Sequence, residues 1–363
     1  MTTLSLTRCA AFVTLMFASA SASAQALSDL KPSAEPLVLQ SQGSFFVGGR
    51  TVETENAGWS DMKAIFGESF EAGKVLVDQM YVQFQTPPKP THTPIVFMHG
   101  GLLSSKQWET TPDGRMGWYE YFTRQGFPTF MAEQTGRARS GFNATIFNQV
   151  RDGKIAPFKQ PRVYLGTSNM AWKVFRFGPK MDEAYPVQQF PLNHVNEFYK
   201  QVIPDMFETQ VPSLLDELIS PVTKNPTVDN FADLAHQLDG AILVGHSQSA
   251  GFPTQAVLKA KGGIRGIIQL ETGCFSNLTG DQAKTLAKVP MLVVVGDQLG
   301  EHPDAACVKE MEQVKAAGGD MTFVSLPGAG MKGNSHMFMQ DKNNLEVADL
   351  IINWVTEHVD NKN

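Results

Sequence analysis

Cysteine is scarce in this chain. Of 363 residues only three are cysteines, Cys9, Cys274 and Cys307. None forms a Cys-x-x-Cys pair, so the usual sequence sign of a structural zinc site is missing. A basic excess is also missing: 30 Lys and Arg stand against 36 Asp and Glu, a formal net charge of −6. Without a basic footprint, neither nucleic acid nor an anionic membrane is expected as a partner. Beyond the first segment no apolar run is long enough to span a bilayer, and no membrane span is expected. There is no internal repeat and no low-complexity tract outside that segment. What is present, 42% hydrophobic and 18% charged residues, suits a globular protein with a large core. This length favours one enlarged domain over two.

Residues 1–26 read as a targeting signal. Arg8 supplies a short positive n-region, and Cys9 to Phe17 form an apolar stretch too short to cross a membrane. Small residues then alternate to Ala26, with Ala22-Ser23-Ala24 and Ala24-Gln25-Ala26 both acceptable as cleavage sites. No lipobox cysteine follows either site. A periplasmic or secreted protein is expected. Cleavage leaves Cys274 and Cys307, and an oxidising compartment favours joining them in a disulfide over leaving two buried thiols.

Residues 27–42 read as an extended N-terminal arm. After it, Ser44–Val52 and Val75–Thr86 partly alternate and are rich in Val, Phe and Tyr, which predicts an antiparallel pair. Short apolar strands are expected at Pro94–Met98, Thr129–Glu133, Ala241–Gly245, Gly266–Leu270, Met291–Val295 and Met321–Leu326. Helical stretches fall at Trp118–Gln125, Val228–Gln237, Pro253–Lys261, Ala305–Ala317 and Leu345–His358. Strand alternating with helix implies a mostly parallel, doubly wound α/β sheet, with active groups at the carboxyl ends of its strands. Residues 142–225 break the alternation. They are rich in aromatics, among them Phe175, Phe177, Phe190 and Phe198. A structureless loop of that length is implausible, so the expectation is an inserted, partly helical cap. The α/β core is then 43–141 together with 226–363.

The chemistry starts at Ala241-Ile242-Leu243-Val244-Gly245-His246-Ser247-Gln248-Ser249. A buried strand runs straight into Gly-x-Ser-x-small, which predicts a tight strand-to-helix turn with an exposed serine hydroxyl. Ser247-Gln248-Ser249-Ala250-Gly251 is a second register that would make Ser249 the nucleophile. The apolar run ends at Val244, which puts the turn at Gly245–Ser247 and favours Ser247. Such a hydroxyl needs a base. His336, in the loop between the last strand and the last helix, is placed to reach over the sheet. His92, His99, His194, His236, His246, His302 and His358 occupy strand-end, helix or surface contexts. Two acids end strands: Asp297 after Met291–Gly296, and Glu271 one strand earlier. Spacing alone leans toward Asp297, although a glutamate reaches one methylene further. The oxyanion hole is expected from the N–H of Gln248 and a donor in His99-Gly100-Gly101-Leu102, each such donor being worth about 10²–10³ in rate.

With these segments in hand, the chain resembles a group of exported bacterial esterases of the α/β-hydrolase superfamily with a Ser–His–Glu triad. The resemblance rests on His99-Gly100-Gly101-Leu102, Trp108-Glu109-Thr110-Thr111-Pro112-Asp113-Gly114-Arg115-Met116-Gly117-Trp118, Phe175-Arg176-Phe177-Gly178-Pro179, His246-Ser247-Gln248-Ser249 and Gly333-Asn334-Ser335-His336-Met337. The tail Met339-Gln340-Asp341-Lys342-Asn343-Asn344-Leu345 also matches, so the likeness runs from about Gly43 to Val355. It implies an α/β-hydrolase fold with Ser247, His336 and Glu271 as nucleophile, base and acid, against the lean toward Asp297. It implies Gly101 and Gln248 as oxyanion donors, and it strengthens the Cys274–Cys307 pairing. Members of the group can carry adjacent cysteines where this chain has Gly101 and Leu102. The expected activity is hydrolysis of a small-molecule carboxylic ester through an acyl-enzyme, without cofactor or metal. Lactone, thioester or amide hydrolysis on the same triad is the enzymatic alternative, and an exported binding protein the non-enzymatic one.

Overall fold

The computed structural model describes residues 26–54, 62–67, 72–211, 213–260, 262–299 and 305–362. The targeting signal, but for Ala26, and His302 lie outside the described residues. Eight strands form one sheet: β1 (Ser41–Thr54), β2 (Gly73–Thr86), β3 (Ile95–Met98), β4 (Thr129–Ala132), β5 (Ala241–His246), β6 (Ile264–Leu270), β7 (Met291–Val295) and β8 (Met321–Ser325). Their spatial order is β1-β2-β4-β3-β5-β6-β7-β8. The β1/β2 and β2/β4 pairs are antiparallel, and every other pair is parallel. The arm is shorter than the sequence suggested, because Ser41 and Gln42 already pair with Thr86 and Gln85 in β1.

The parallel strands separate two cores. Ile95, Phe97, Ile242, Val244, Ile268, Leu270, Leu292 and Val294 point to one face, with Trp118 and Phe122 from the helix Trp118–Arg124 and Ile351 and Val355 from Asn344–His358. The alternate residues Val96, Met98, Ala241, Leu243, Ile267, Met291 and Val293 point to the other. That face is covered by the helices Pro226–Gln237, Phe252–Lys259, Gly280–Leu286 and Ala305–Ala316. Period-two alternation with both faces apolar is what burial on two sides demands. Gly280–Leu286 lies between β6 and β7 and is absent from the helices read in the sequence. It is short and polar, and its start is set by Thr279 capping Gln282 N–H rather than by a strong apolar stripe.

The chain steps from β3 to β4 on one side and then crosses to β5 on the other. The strand order reverses at β3/β5, where a crevice opens at the carboxyl ends in open α/β sheets. Residues 142–225 form short helices, among them Thr145–Arg151, Ser168–Val174 and Val195–Tyr199. Phe175, Phe177, Phe190 and Phe198 of this segment are buried and stack on one another, joining the first core.

Candidate active site

Four loops meet at the crevice. The first follows β5. Ser247 has φ +56°, in the left-handed region, and opens a short turn, Ser247–Ser249, before the helix Phe252–Lys259. Gly245 makes that turn possible, since a Cβ there would stand 2.0 Å from the Ser249 carbonyl oxygen. Ser249 is fully buried. Its Oγ accepts the His246 N–H at 3.0 Å and sits 3.2 Å from the Met98 oxygen. That hydroxyl is committed to holding the turn, which accounts for a serine where a second glycine is usual. Ser247, in contrast, lines the cavity.

The second loop follows β3. A Cβ on Gly100 would come within 3.1 Å of Ser247 Cβ, and one on Gly101 within 3.3 Å of Gln248 Oε1. Both approaches are tighter than ordinary van der Waals contact, so glycine eases the close passage of this backbone past the serine turn. Gly100 N–H donates to Gln107 Oε1 at 3.1 Å, and Leu102 N–H donates to Asp205 Oδ2 at 3.0 Å. Asp205 is paired with Arg137 at 2.7 Å, both buried, and Arg137 Nη1 donates to Gln248 Oε1 at 2.9 Å. This network braces the Gly101-Leu102 stretch. The Gln248 N–H lies in the first turn after the strand, where helices leave amides without an intrahelical acceptor.

The third loop carries His336. Asp341 accepts Ser335 N–H at 2.8 Å, Ser335 Oγ–H at 2.7 Å and Asn334 Nδ2–H at 3.0 Å. Burial pushes the Asp341 carboxyl up to about 7 against these three donors. His336 N–H donates to the Phe175 carbonyl at 3.0 Å. The imidazole Nδ1 lies 3.1 Å from Glu271 Oε2, while Nε2 is buried and has no hydrogen-bond partner, Ser247 included. Burial lowers the His336 pKa; Glu271 opposes that and Arg176 adds to it.

The fourth loop follows β6. Glu271, Thr272 and Gly273 have φ +66°, +74° and +106° in succession. This turn aims the glutamate back at His336. Its Oε1 accepts Gly296 N–H at 2.8 Å, and its Oε2 lies 2.7 Å from Arg176 Nη2. Burial would raise the carboxyl, but the Arg176 charge and the His336 contact outweigh it and bring it down to about 2. Asp297 is placed differently. Its Oδ2 accepts Gly333 N–H at 2.9 Å and its Oδ1 accepts Gln298 N–H, so it ties down the His336 loop without touching the ring. Spacing leaned toward Asp297, but the carboxylate that contacts the imidazole is that of Glu271, brought there by the left-handed turn after β6 together with the extra methylene.

Three side chains at this site carry no role in the sequence reading: Arg176, Asp205 and Arg137. Arg176 stands inside the quoted Phe-Arg-Phe-Gly-Pro segment, a polar residue among aromatics, which is a signal of sorts. Asp205 and Arg137 have no spacing cue. Cys274 and Cys307 are joined by a disulfide with Cα atoms 4.9 Å apart. Among the described residues no group of three or more His, Cys, Asp or Glu could hold a metal ion, and no helix is long and apolar enough to cross a membrane.

A cavity of about 390 Å³ lies over Ser247 and His336. Its walls are mainly apolar and come largely from the inserted segment, through Tyr164, Leu165, Met170, Val174, Phe175 and Phe207.

The sheet, its order and the loops at the β3/β5 crevice define an α/β-hydrolase. No family model matches the chain. A solved structure described as a novel bacterial esterase, determined at atomic resolution, is 39% identical to it, covers 90% of this chain and 99% of its own, and superposes with a TM-score of 0.80. The chain belongs to the family of that bacterial esterase. A probable secreted lipase, phiG, of a fungal species (strain ATCC 74256) is 24% identical over 339 residues, 79% of this chain and 88% of the fungal protein.

Proposed function

We propose that the protein is an exported serine esterase that hydrolyses small-molecule carboxylic esters through a Ser247–His336–Glu271 triad. The observation that carries the reading is the pairing of His336 Nδ1 with the buried, ionised Glu271, which leaves Nε2 unpartnered beside the cavity that Ser247 lines. Nucleophile, base and orienting acid fall in the chain order expected on this fold.

In this reading Ser247 Oγ attacks the ester carbonyl carbon while His336 Nε2 takes its proton. The tetrahedral oxyanion accepts hydrogen bonds from the amides of Gly101 and Gln248. His336 returns the proton to the leaving alkoxide, and the alcohol departs. Water, deprotonated by the same nitrogen, then releases the acid. Contact between Ser247 and Nε2 closes in the substrate complex, as catalytic hydrogen bonds in unliganded sites do. Glu271 stays ionised throughout and stabilises the imidazolium. The segment 142–225 acts as the cap: its apolar walls receive the acyl or aryl part of the ester. Export to the periplasm or the exterior agrees with the disulfide and with the targeting pattern of residues 1–26.

Labelling the mature protein with a fluorophosphonate and mapping the adduct tests the nucleophile. Modification of Ser247 is expected, together with loss of short-chain ester hydrolysis in Ser247→Ala. An adduct on another residue, or full turnover in that variant, rules the triad out. Running ester, lactone, thioester and amide substrates side by side separates esterase from the related chemistries.

A further inference from the structure

Arg176 enters the site from the inserted segment, two residues after the helix Ser168–Val174, with φ +58°. Its Nη2 lies 2.7 Å from Glu271 Oε2, and its Nη1 lies 3.0 Å from His336 Nδ1. That same Nδ1 lies 3.1 Å from that same Oε2. Guanidinium, carboxylate and imidazole thus close a triangle on one ring nitrogen. We infer that Arg176 is a positioning residue for His336, holding Glu271 in place and competing with it for Nδ1. The inference rests on the triad proposed above.

The competition follows from valence. A neutral imidazole has one N–H donor and one bare nitrogen. Nδ1 cannot accept from Arg176 and donate to Glu271 at once. When it accepts from Arg176, the ring proton sits on Nε2 and the serine proton has nowhere to go. When it donates to Glu271, Nε2 is bare and the base is ready. Arg176 then keeps only its contact with the carboxylate. The two arrangements are tautomers: the ring carries one proton in each, on Nε2 in the first and on Nδ1 in the second, and Nδ1 serves a different partner.

Charge acts in the same place. Glu271 alone would make the imidazolium easier to form, and the guanidinium offsets part of that field. The groups facing His336 are Glu271 from the end of β6, Arg176 from the inserted segment and His246 from β5, whose ring centroid is 4.9 Å away. His246 is kept neutral: burial, reinforced by His336, lowers its pKa to about 3. Asp341, on the histidine's own loop, is bonded to Ser335 and Asn334. Arg176 is also tied to that loop through its neighbour, since the Phe175 carbonyl accepts the His336 N–H. Its own carbonyl accepts from Gln188 Nε2 at 3.0 Å. The inserted segment therefore supplies the triad with a fourth side chain as well as walls for the cavity.

The test is the pH dependence of kcat/KM in the wild type, Arg176→Met and Arg176→Lys. Removing the cation strengthens the base, so the acid limb of Arg176→Met moves upward by about one pH unit or more. Lysine keeps the charge, and Arg176→Lys restores at least half of that shift while losing the planar fork. A residue that merely shapes the loop would lower kcat without moving the limb. An unmoved limb in Arg176→Met, or an equal shift in both variants, overturns the inference. If Arg176→Met fails to fold by circular dichroism, nitrogen-15 NMR of the histidine-labelled wild type decides. Nitrogen-15 shifts that show Nδ1 of neutral His336 partly unprotonated support the competition with Arg176, and a neutral ring protonated wholly on Nδ1 overturns it. Failure of the triad itself reads differently: His336→Ala would keep hydrolysing ester whatever the limb does.

Discussion

The loops after β6 and β7 begin alike and do different work. Each leaves a buried parallel strand and carries a carboxylate within two residues of its end, Glu271 in one and Asp297 in the other. The β6 loop turns through three successive positive φ values and points its acid into the protein. The β7 loop spends its acid on backbone amides, Gly333 and Gln298. Non-glycine residues in the left-handed region cost of order 1 kcal/mol each, and such strain persists only where surrounding contacts over-determine it. The β6 loop has those contacts. Cys274 is bridged to Cys307 and Phe275 N–H donates to Glu310, both partners lying on the helix Ala305–Ala316. Gln269 Nε2 donates to the Gly273 carbonyl at 3.0 Å. At Gly273 a Cβ would meet the Ala250 backbone at 2.4 Å, so this loop nests against the end of the short turn that Ser247 opens. The lesson is that the conformation of the turn decides which carboxylate reaches the histidine, and the equivalent carboxylate one strand away is left to brace a loop.

The sharpest way to break that contrast is Glu271→Gln. The amide preserves shape but lacks the charge that stabilises the imidazolium, and it leaves Arg176 buried without a counter-ion. A fall in kcat of about 10³–10⁴ is expected for short-chain esters, on the scale seen when the acid of a triad is neutralised. Retention of more than a tenth of the activity would falsify the assignment of Glu271. Next in size is the tether. Replacing Cys274 and Cys307 by serine opens a loop with a sequence separation of 33 residues. Stability should drop by about 3–4 kcal/mol in the chain-entropy model, read from the urea midpoint. Activity should be lost at lower urea than the unfolding midpoint, because the strained turn loosens before the sheet does.

Much of this arrangement was legible in the chain, and the reasons differ by feature. All eight strands are close to where apolar runs place them, because a strand buried on both faces leaves little choice of residue. The turn at Ser247 was readable from where the apolar run stops, and it needs Gly245 for contact reasons that sequence expresses directly. Which carboxylate contacts His336 was not readable from spacing. That choice depends on the positive φ values at Glu271 and Thr272, and neither residue type announces that conformation. Resemblance in the surrounding segments pointed to it instead. Arg176 and Asp205 meet the site from the insertion and Arg137 from the loop after β4, and contacts across such distances in sequence leave little local pattern. The bonds of Ser249 to the Met98 and His246 backbone explain after the fact why the second motif glycine is dispensable.

Glu310 gives a smaller test of the same tethered loop. Burial pushes its carboxyl up to about 8, against the bond donated by Phe275. The unfolded chain ionises near 4.5 while the folded chain keeps the proton, so folding loses stability as pH rises from about 4.5 to 8. Glu310→Gln keeps an acceptor for Phe275 N–H and removes the titration. The variant should be more stable than wild type at pH 8, by on the order of 1 kcal/mol, and match it below about pH 4.5. Thermal melts at the two pH values check the sign. A variant less stable at pH 8 would mean that the ionised carboxylate, not the neutral acid, secures the loop.

Asp297→Asn should have the smallest effect, and for that reason it sharpens the contrast most. Its carboxylate makes no bond to the imidazole, and the loop it braces has other supports. Asp341 takes three donors from Asn334 and Ser335, Gln189 N–H donates to the Gly333 carbonyl, and His336 N–H is fixed on Phe175. An asparagine retains one oxygen for Gly333 N–H and gives up the bond from Gln298, on the exposed side of the turn. A neutral hydrogen bond is worth about 1 kcal/mol, which bounds the loss of kcat/KM at less than about tenfold. Because the group does not face His336, the acid limb of the pH profile should stay where the wild type has it. Measured beside Glu271→Gln under the same conditions, the two variants should differ by at least two orders of magnitude in kcat. Equal losses would mean that both carboxylates act on the histidine, and the division of labour between the two loops would have to be given up.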